Sequence, residues 1–409
     1  MSILSILLLL LVASYVLERY LDYLNSKNWS DELPAALKGI YNEEEYKKSQ
    51  QYEKANKKFS TVSDTFSLVV MVILLLSGAF GKLDDWALAT TGDSIETTLL
   101  FFGVLALASD VLNTPFSLYK TFVIEKKFGF NKMTPKLYIS DKIKSYILGA
   151  LLGGSLLALF ALLYQVAGSK FWIYAWMTFS TIMILASMFY TSLILPIFNK
   201  LNPLEAGALK NEITEYCRKT GFKMTNIMVM DGSKRSTKAN AFFSGLGAKK
   251  KIVLFDTLIQ NHTASELVAV LAHETGHYKL KHTLKGLFVS LAQTGLMLFL
   301  FSVFMENKNL ASALGGSQPT IELGLLAFGI LYSPVSMIIS LFANILSRKH
   351  EFEADRYAAE TSDGNALKEA LKKLSVNNLS NLNPHPAYVF FYYSHPPLLQ
   401  RLTALEKVN

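Results

Sequence analysis

At 409 residues, 51% hydrophobic and only 18% charged, the chain is too apolar for a soluble protein of its length and falls in the membrane class. Its one cysteine, Cys217, excludes a disulfide framework and signals no thiol chemistry. The net charge of +8 argues for no nucleic-acid partner, because the lysines fall between apolar runs rather than in a basic patch interleaved with aromatics.

In chain order, seven stretches are long and apolar enough to cross roughly 30 Å of hydrocarbon: Ile3 to Leu24, Phe66 to Leu83, Thr98 to Val123, Ile147 to Val166, Trp172 to Phe198, Leu284 to Phe304 and Ile321 to Leu346. The first lacks a basic n-region and a small-x-small cleavage site, so it reads as an anchor rather than a cleaved signal. Asp110, Asn113 and Pro115 in the third require a protein interior or a watery cavity. Lysines crowd the connections after the first span (Lys27 to Lys58) and the third (Lys126 to Lys144), whereas Lys82, Lys170 and Lys308 stand alone in others. The positive-inside rule therefore puts the N-terminus outside. The same rule puts the connection from Asn199 to Gly286 and the tail after Leu346 in the cytoplasm.

Within that connection, Ala206 to Thr220 reads as a polar helix. Asn240 to Phe243 and Lys251 to Phe255 read as strands joined through Gly245-Leu246-Gly247. A free hairpin edge can take an extended peptide as an added strand, held by main-chain hydrogen bonds. Asn240, Phe242 and Phe243 are the candidate substrate contacts there, although each phenylalanine alone reads nearly as well as core. A capping box, Thr263 to Glu266, then starts a helix through His273-Glu274-Thr275-Gly276-His277.

On a helix, this H-E-x-x-H spacing sends His273 and His277 from one face a turn apart, where both can bind one zinc ion. Glu274 is then placed to take a proton from water on the metal, whose pKa zinc lowers to roughly 7. With seven histidines in the chain, chance gives the pattern in on the order of one chain in a hundred. Lys279, Lys281 and His282 follow closely, so this helix belongs at a surface or in a cavity rather than in lipid. A third ligand is expected from another helix, with the fourth position left to water. The run Arg348-Lys349-His350-Glu351-Phe352-Glu353-Ala354-Asp355 offers Glu351 and Asp355 at i and i+4, giving one face a ligand and a carboxylate able to hold the outer nitrogen of a bound histidine. Glu353 points elsewhere, and His262, His282, His350 and His385 read as surface or satisfied polar residues.

These motifs run in order with Asn240-Ala241-Phe242-Phe243, Lys251 to Leu258, Ser333-Pro334, Ser347-Arg348 and Tyr393-Ser394-His395-Pro396-Pro397-Leu398-Leu399-Gln400-Arg401. Together they span most of the chain, which resembles the integral-membrane zinc CAAX prenyl proteases of the a-factor-converting type. The resemblance implies an all-α polytopic membrane fold of seven transmembrane helices enclosing a water-filled chamber, with a small gluzincin-like α/β metalloprotease portion on the cytoplasmic side. It also implies one Zn2+ per chain, Glu351 as the third ligand and Asp355 as the carboxylate behind the ligands. His395 would donate a hydrogen bond to the oxyanion of the tetrahedral intermediate. Arg401 is expected to hold substrate or the C-terminal segment through a bidentate carboxylate contact, or to make a plain surface salt bridge.

The division expected is 1–199 for five transmembrane helices, 200–284 for the catalytic connection, 285–347 for helices six and seven, and 348–409 for the part completing the zinc site. The implied substrate is a peptide or protein, prenylated in the family's namesake reaction, which removes the last three residues after a prenyl-cysteine; membrane lipid is the other partner. A short Gln260 to Ala264 stretch and an ending without an ER-retrieval tail look bacterial, which points to a bacterial cytoplasmic membrane. Two other readings stand beside this one. The same residues serve a broad quality-control protease with no prenyl requirement. A transporter or scaffold with structural zinc is the non-enzymatic alternative, although four protein ligands normally close such a site.

Overall fold

The apolar runs of the N-terminal half fold as long helices: Ile3–Ser26, Glu43–Leu76, Ala79–Thr91, Ile95–Tyr119, Pro135–Leu148, Ser155–Ala167 and Phe171–Leu193. They belong to a computed structural model that describes residues 1–30, 32–92, 94–222, 227–245, 251–305, 307 and 309–408. Among these residues, five helical stretches are long and apolar enough to cross a membrane, or six if a bent pair counts as one span. The five are Ile3–Ser26, Glu43–Leu76, Ile95–Glu125, Pro135–Phe198 and His282–Phe304; the bent pair is Ile321–Leu331 with Ser333–Thr361. Between 6% and 17% of the most apolar stretch of each of the five is buried by the protein.

The second span differs from the expected run of Phe66 to Leu83. Its helix starts much earlier, at Glu43, behind a capping box of Asn42 and Glu45, and ends at Leu76. Gly78 then takes a left-handed backbone, φ 63°, and a separate helix begins at Ala79. The break serves a close crossing. The Gly81 N–H donates to the Leu314 carbonyl at 3.0 Å, and a Cβ on Gly81 would lie 2.1 Å from the Gly315 carbonyl carbon. The last span is also interrupted. It bends by 51° between Leu331 and Ser333, where Pro334 supplies no N–H in the first turn of the second helix.

In the third span Asn113 donates to the Ser109 carbonyl of its own helix at 2.8 Å, whereas Asp110 is engaged from a neighbour. Asp110 pairs with Lys142 at 2.9 Å and accepts from the Tyr146 hydroxyl. Asp110 and Lys142 line a cavity of about 310 Å³ with Asn113, Thr114 and Asp141.

Past the fifth apolar run the chain forms a four-stranded sheet, in the order β1 (Leu201–Pro203), β2 (Ile227–Met230), β4 (Lys251–Phe255), β3 (Ala241–Ser244). The expected hairpin is present: β3 and β4 are antiparallel with Ala241 opposite Leu254. Gly245 follows β3 with φ 91°, while Leu246 and Gly247 of the expected turn lie outside the described residues. The expected polar helix spans Ala208–Thr220. Burial pushes its Cys217 thiol up to about 11, which leaves it unreactive at neutral pH. A core of Leu254, Leu258, Leu267, Leu271, Ala358 and Leu402 joins the sheet to the Ala264–Lys279 motif helix, the Ser333–Thr361 long helix and the final helix, Leu398–Glu406.

Candidate active site

The motif helix is fixed at its start by the expected capping box. Thr263 Oγ1 accepts from the Glu266 N–H at 3.3 Å, and Glu266 Oε2 accepts from the Thr263 N–H at 3.0 Å. Lys373 clamps the same carboxylate at 2.7 Å. Further along, Gly276 lies where the motif helix crosses the long helix. A Cβ there would meet Ala354 Cα and Tyr357 Cδ1, each at 3.1 Å, so the bare glycine lets the two helices approach closely enough to share ligands.

Three side chains converge at that crossing. The Nε2 atoms of His273 and His277 are 3.1 Å apart. Glu351 of the long helix brings Oε2 to 3.5 Å from His273 Nε2 and Oε1 to 3.2 Å from His277 Nε2. Two imidazoles and a carboxylate form a donor set suited to zinc with one position left open. The fit has an internal test: Glu351 Oε2 is buried and accepts no hydrogen bond, the Arg401 guanidinium standing off at 3.5 Å, so it keeps lone pairs for a metal cation. Burial pushes the Glu351 carboxyl up, but His277, His273, Arg401 and His395 together bring it down to about 2, so it is ionised.

Behind this trio, Asp355 is 1% exposed and lies 2.8 Å from His273 Nδ1. An ionised carboxylate only accepts, so Nδ1 carries the proton and the Nε2 lone pair faces the proposed metal. Arg401 donates Nε and Nη2 to Asp355 at 2.8 and 2.6 Å, and its Nη1 lies 3.5 Å from Glu351. The bidentate contact expected of Arg401 is thus made within the chain and not at its surface.

Glu274 leaves the motif helix half-buried. Burial raises its carboxyl most, His273 and His277 lower it, Glu351 raises it, and the backbone N–H of Phe243 hydrogen-bonds it; the net shift is upward. The contact ties the base to the hairpin. Because the Phe255 N–H donates to the Asn240 carbonyl at 3.1 Å, that pair is hydrogen-bonded across the ladder. The backbone groups of Ala241 and Phe243 therefore point away from β4, toward the open edge. The two phenylalanine side chains are half-buried in packing: Phe242 lies among Leu195, Met230 and Val253, and Phe243 lies against Tyr278. Asn240 is exposed just before β3, with its side-chain oxygen accepting from the Ala241 N–H.

His395 reaches the site from the turn before the final helix. Its side chain is 64% exposed, its Nε2 lies 3.3 Å from Glu351 Oε1, and its Nδ1 lies 3.0 Å from Ser394 Oγ. Arg348, unassigned from sequence, holds that segment by donating to the Val389 carbonyl at 3.2 Å and to the Tyr393 carbonyl. Its place in the motif-bearing run was visible, but its targets are main-chain carbonyls that carry no sequence signal.

Residues 22–200 match the family described as the CAAX prenyl protease N-terminal region with five membrane helices, and residues 203–409 match peptidase family M48. The chain belongs to peptidase family M48, in its CAAX prenyl protease branch. It is a membrane metalloprotease of the CAAX-processing type. The protein named CAAX prenyl protease 1 from Saccharomyces cerevisiae is 34% identical over 97% of this chain and 94% of its own length. The human CAAX prenyl protease 1 homolog is 33% identical over 92% of this chain and 89% of its own. The crystal structure of S. mikatae Ste24p superposes with a TM-score of 0.93 at 34% identity, covering 99% of both chains.

Proposed function

We propose that this M48 protease is a gluzincin-type zinc endopeptidase that removes the C-terminal tripeptide from prenylated C-a-a-X proteins at the cytoplasmic face of a membrane. The observation that carries the proposal is the convergence of His273, His277 and Glu351 beside Glu274 and the open edge of β3. His273, His277 and Glu351 hold the ion, and Asp355 with Arg401 fixes the His273 ring. Zinc, when bound, polarises the scissile carbonyl and acidifies water. The peptide lies along β3 as an added strand, pairing with the outward carbonyls of Ala241 and Phe243, whose N–H groups are held by Asn240 and Glu274. Glu274 takes the proton of the attacking water and delivers it to the leaving amine. His395, exposed across the site, donates to the oxyanion.

In this reading the chain crosses the membrane seven times. The Pro135–Phe198 stretch of 64 residues would be roughly 96 Å long as one helix, about three times the hydrocarbon thickness. Gly168, with φ 53° and ψ −134°, breaks it, and the helices on either side pack against each other. Taken as two spans, with the bent pair as one, it brings the total to seven. Asp110, Asn113 and Lys142, lining a cavity of about 310 Å³ beside the apolar spans, support a water-filled interior. Lysine placement supports an outside N-terminus, and the short Gln260 to Ala264 connection supports a bacterial cytoplasmic membrane.

The test is cleavage of a farnesylated C-a-a-X peptide and its unprenylated twin by detergent-purified protein, with Glu274→Gln as control. Preference for the farnesylated peptide is expected. Equal cleavage of the two would replace this reading with broad membrane-protein proteolysis.

A further inference from the structure

His277 faces the proposed metal through Nε2, and its outer nitrogen, Nδ1, lies 3.1 Å from Nδ1 of His282. Two imidazole nitrogens at that separation share one proton, because two lone pairs repel and two N–H groups clash. The next contact decides which ring carries it. Nε2 of His282 lies 2.9 Å from Oε2 of Glu353, and an ionised carboxylate only accepts. His282 therefore holds its proton on Nε2 and presents a lone pair at Nδ1, which accepts from His277 Nδ1–H. His277 is left with a bare Nε2, the form a cation requires.

We propose that His282 and Glu353 are positioning residues that set the tautomer and ring orientation of the ligand His277, an inference that rests on the metal site proposed above. The two histidine ligands are then held by different devices. His273 leans on the buried Asp355 and Arg401, whereas His277 leans on an imidazole that ends at a carboxylate whose side chain is 37% exposed.

Two further features hold His282 in place. Lys281, between the motif helix and the His282–Phe304 helix, takes a left-handed backbone, φ 61°, a conformation unfavourable for a non-glycine residue. That turn folds His282 back toward His277, with ring centroids 5.2 Å apart. On its other side, His350 stacks on His282 at 3.9 Å and 9°, and His282 is 5% exposed. The stack also argues against a second metal at His282, His350 and Glu353, even though one ligand atom from each lies within 4.8 Å of the others. A cation lies in the plane of each imidazole that binds it, and two near-parallel stacked rings share no such point.

Zinc affinity of the detergent-purified full chain, by chelator competition, tests the inference beside the melting temperature of metal-free protein. His282→Phe keeps the stacked ring and removes both nitrogens; zinc binding roughly 10- to 100-fold weaker is expected, with the metal-free melt unchanged. His282→Asn, whose amide oxygen accepts near the Nδ1 position, is expected to restore most of the loss. Glu353→Leu removes the acceptor that holds the proton on His282 Nε2, so it weakens binding alone and adds nothing to His282→Phe, as both act along one path. Wild-type affinity in His282→Phe and Glu353→Leu overturns the inference. So does a loss that asparagine leaves unrestored while the metal-free melt falls with it, or a second zinc per wild-type chain that disappears with His282. Failure of the wild-type chain to retain any zinc overturns the metal site itself, and this inference with it.

Discussion

Arg401 donates Nε and Nη2 to the two oxygens of Asp355, at 2.8 and 2.6 Å, from a helix that begins only at Leu398. Asp355 in turn lies 2.8 Å from His273 Nδ1, so the orientation of a proposed ligand on the motif helix depends on the end of the chain. Arg401→Lys keeps the charge and loses the planar fork; zinc affinity about tenfold weaker is expected with the fold retained. Arg401→Met leaves the Asp355 charge buried without its partner, which costs about 3–5 kcal/mol and lowers the melting temperature sharply. Chelator competition and thermal melts in detergent read both effects. A lysine variant that holds zinc as the wild type does would remove Arg401 from this role.

Gly276 carries the second prediction. Its position between the two histidines faces the Ala354 backbone and the Tyr357 ring at 3.1 Å. Alanine normally favours a helix over glycine by about 1 kcal/mol. Here its methyl has to push the long helix away, and overpacking typically costs 1–3 kcal/mol. Gly276→Ala should therefore lower both melting temperature and zinc retention, since Glu351 moves with the long helix. A variant more stable than the wild type would show that the crossing has slack.

Much of this was legible in the sequence because the chemistry sits on regular helices. His273 with His277, and Glu351 with Asp355, are each four residues apart, and helix geometry turns that spacing into a shared face. The hairpin was legible from β-rich runs around glycine. The break at Gly78 was not, since an apolar run looks continuous whether or not a glycine within it turns the chain. The partners of Arg401 and His282 were equally hidden. Asp355 and Glu353 lie far from them in the chain: the final helix packing on the long helix brings Arg401 to Asp355, and the turn after the motif helix brings His282 to Glu353. Glu353 sits on a different side of its helix from Glu351, which made it look idle while it reached His282.

The start of the motif helix has its own pH signature. Burial pushes the Glu266 carboxyl up, but the Lys373 hydrogen bond, the Thr263 N–H and the Lys373 charge outweigh it, leaving Glu266 below its ordinary value. A depressed folded-state value means that this stabilisation is fully present above the unfolded value near pH 4 and is lost as pH falls through the folded one. Glu266→Gln keeps the capping geometry without the charge. Wild type should melt higher than Glu266→Gln at pH 7, and the gap should begin to narrow near pH 4 and close as pH falls through the lower folded-state value. A gap that stays constant across that range would show that the carboxylate charge contributes nothing to the cap.

Glu274 and His395 are separable from the ligands that surround them. Glu274→Gln preserves shape and removes the base, so zinc content should stay at the wild-type level while peptide cleavage falls by about 10²–10⁴-fold. His395→Phe removes a donor whose partner, the oxyanion, exists only near the transition state. Its cost of about 10²–10³-fold should therefore appear in kcat with KM little changed. The competing outcome comes from geometry, because His395 Nε2 lies 3.3 Å from Glu351 Oε1 and sits close enough to the ligands to influence the ion. Zinc content that falls in step with turnover in His395→Phe would make His395 a holder of the metal. Full zinc content with lost turnover would leave it facing the substrate, as its 64% exposure favours.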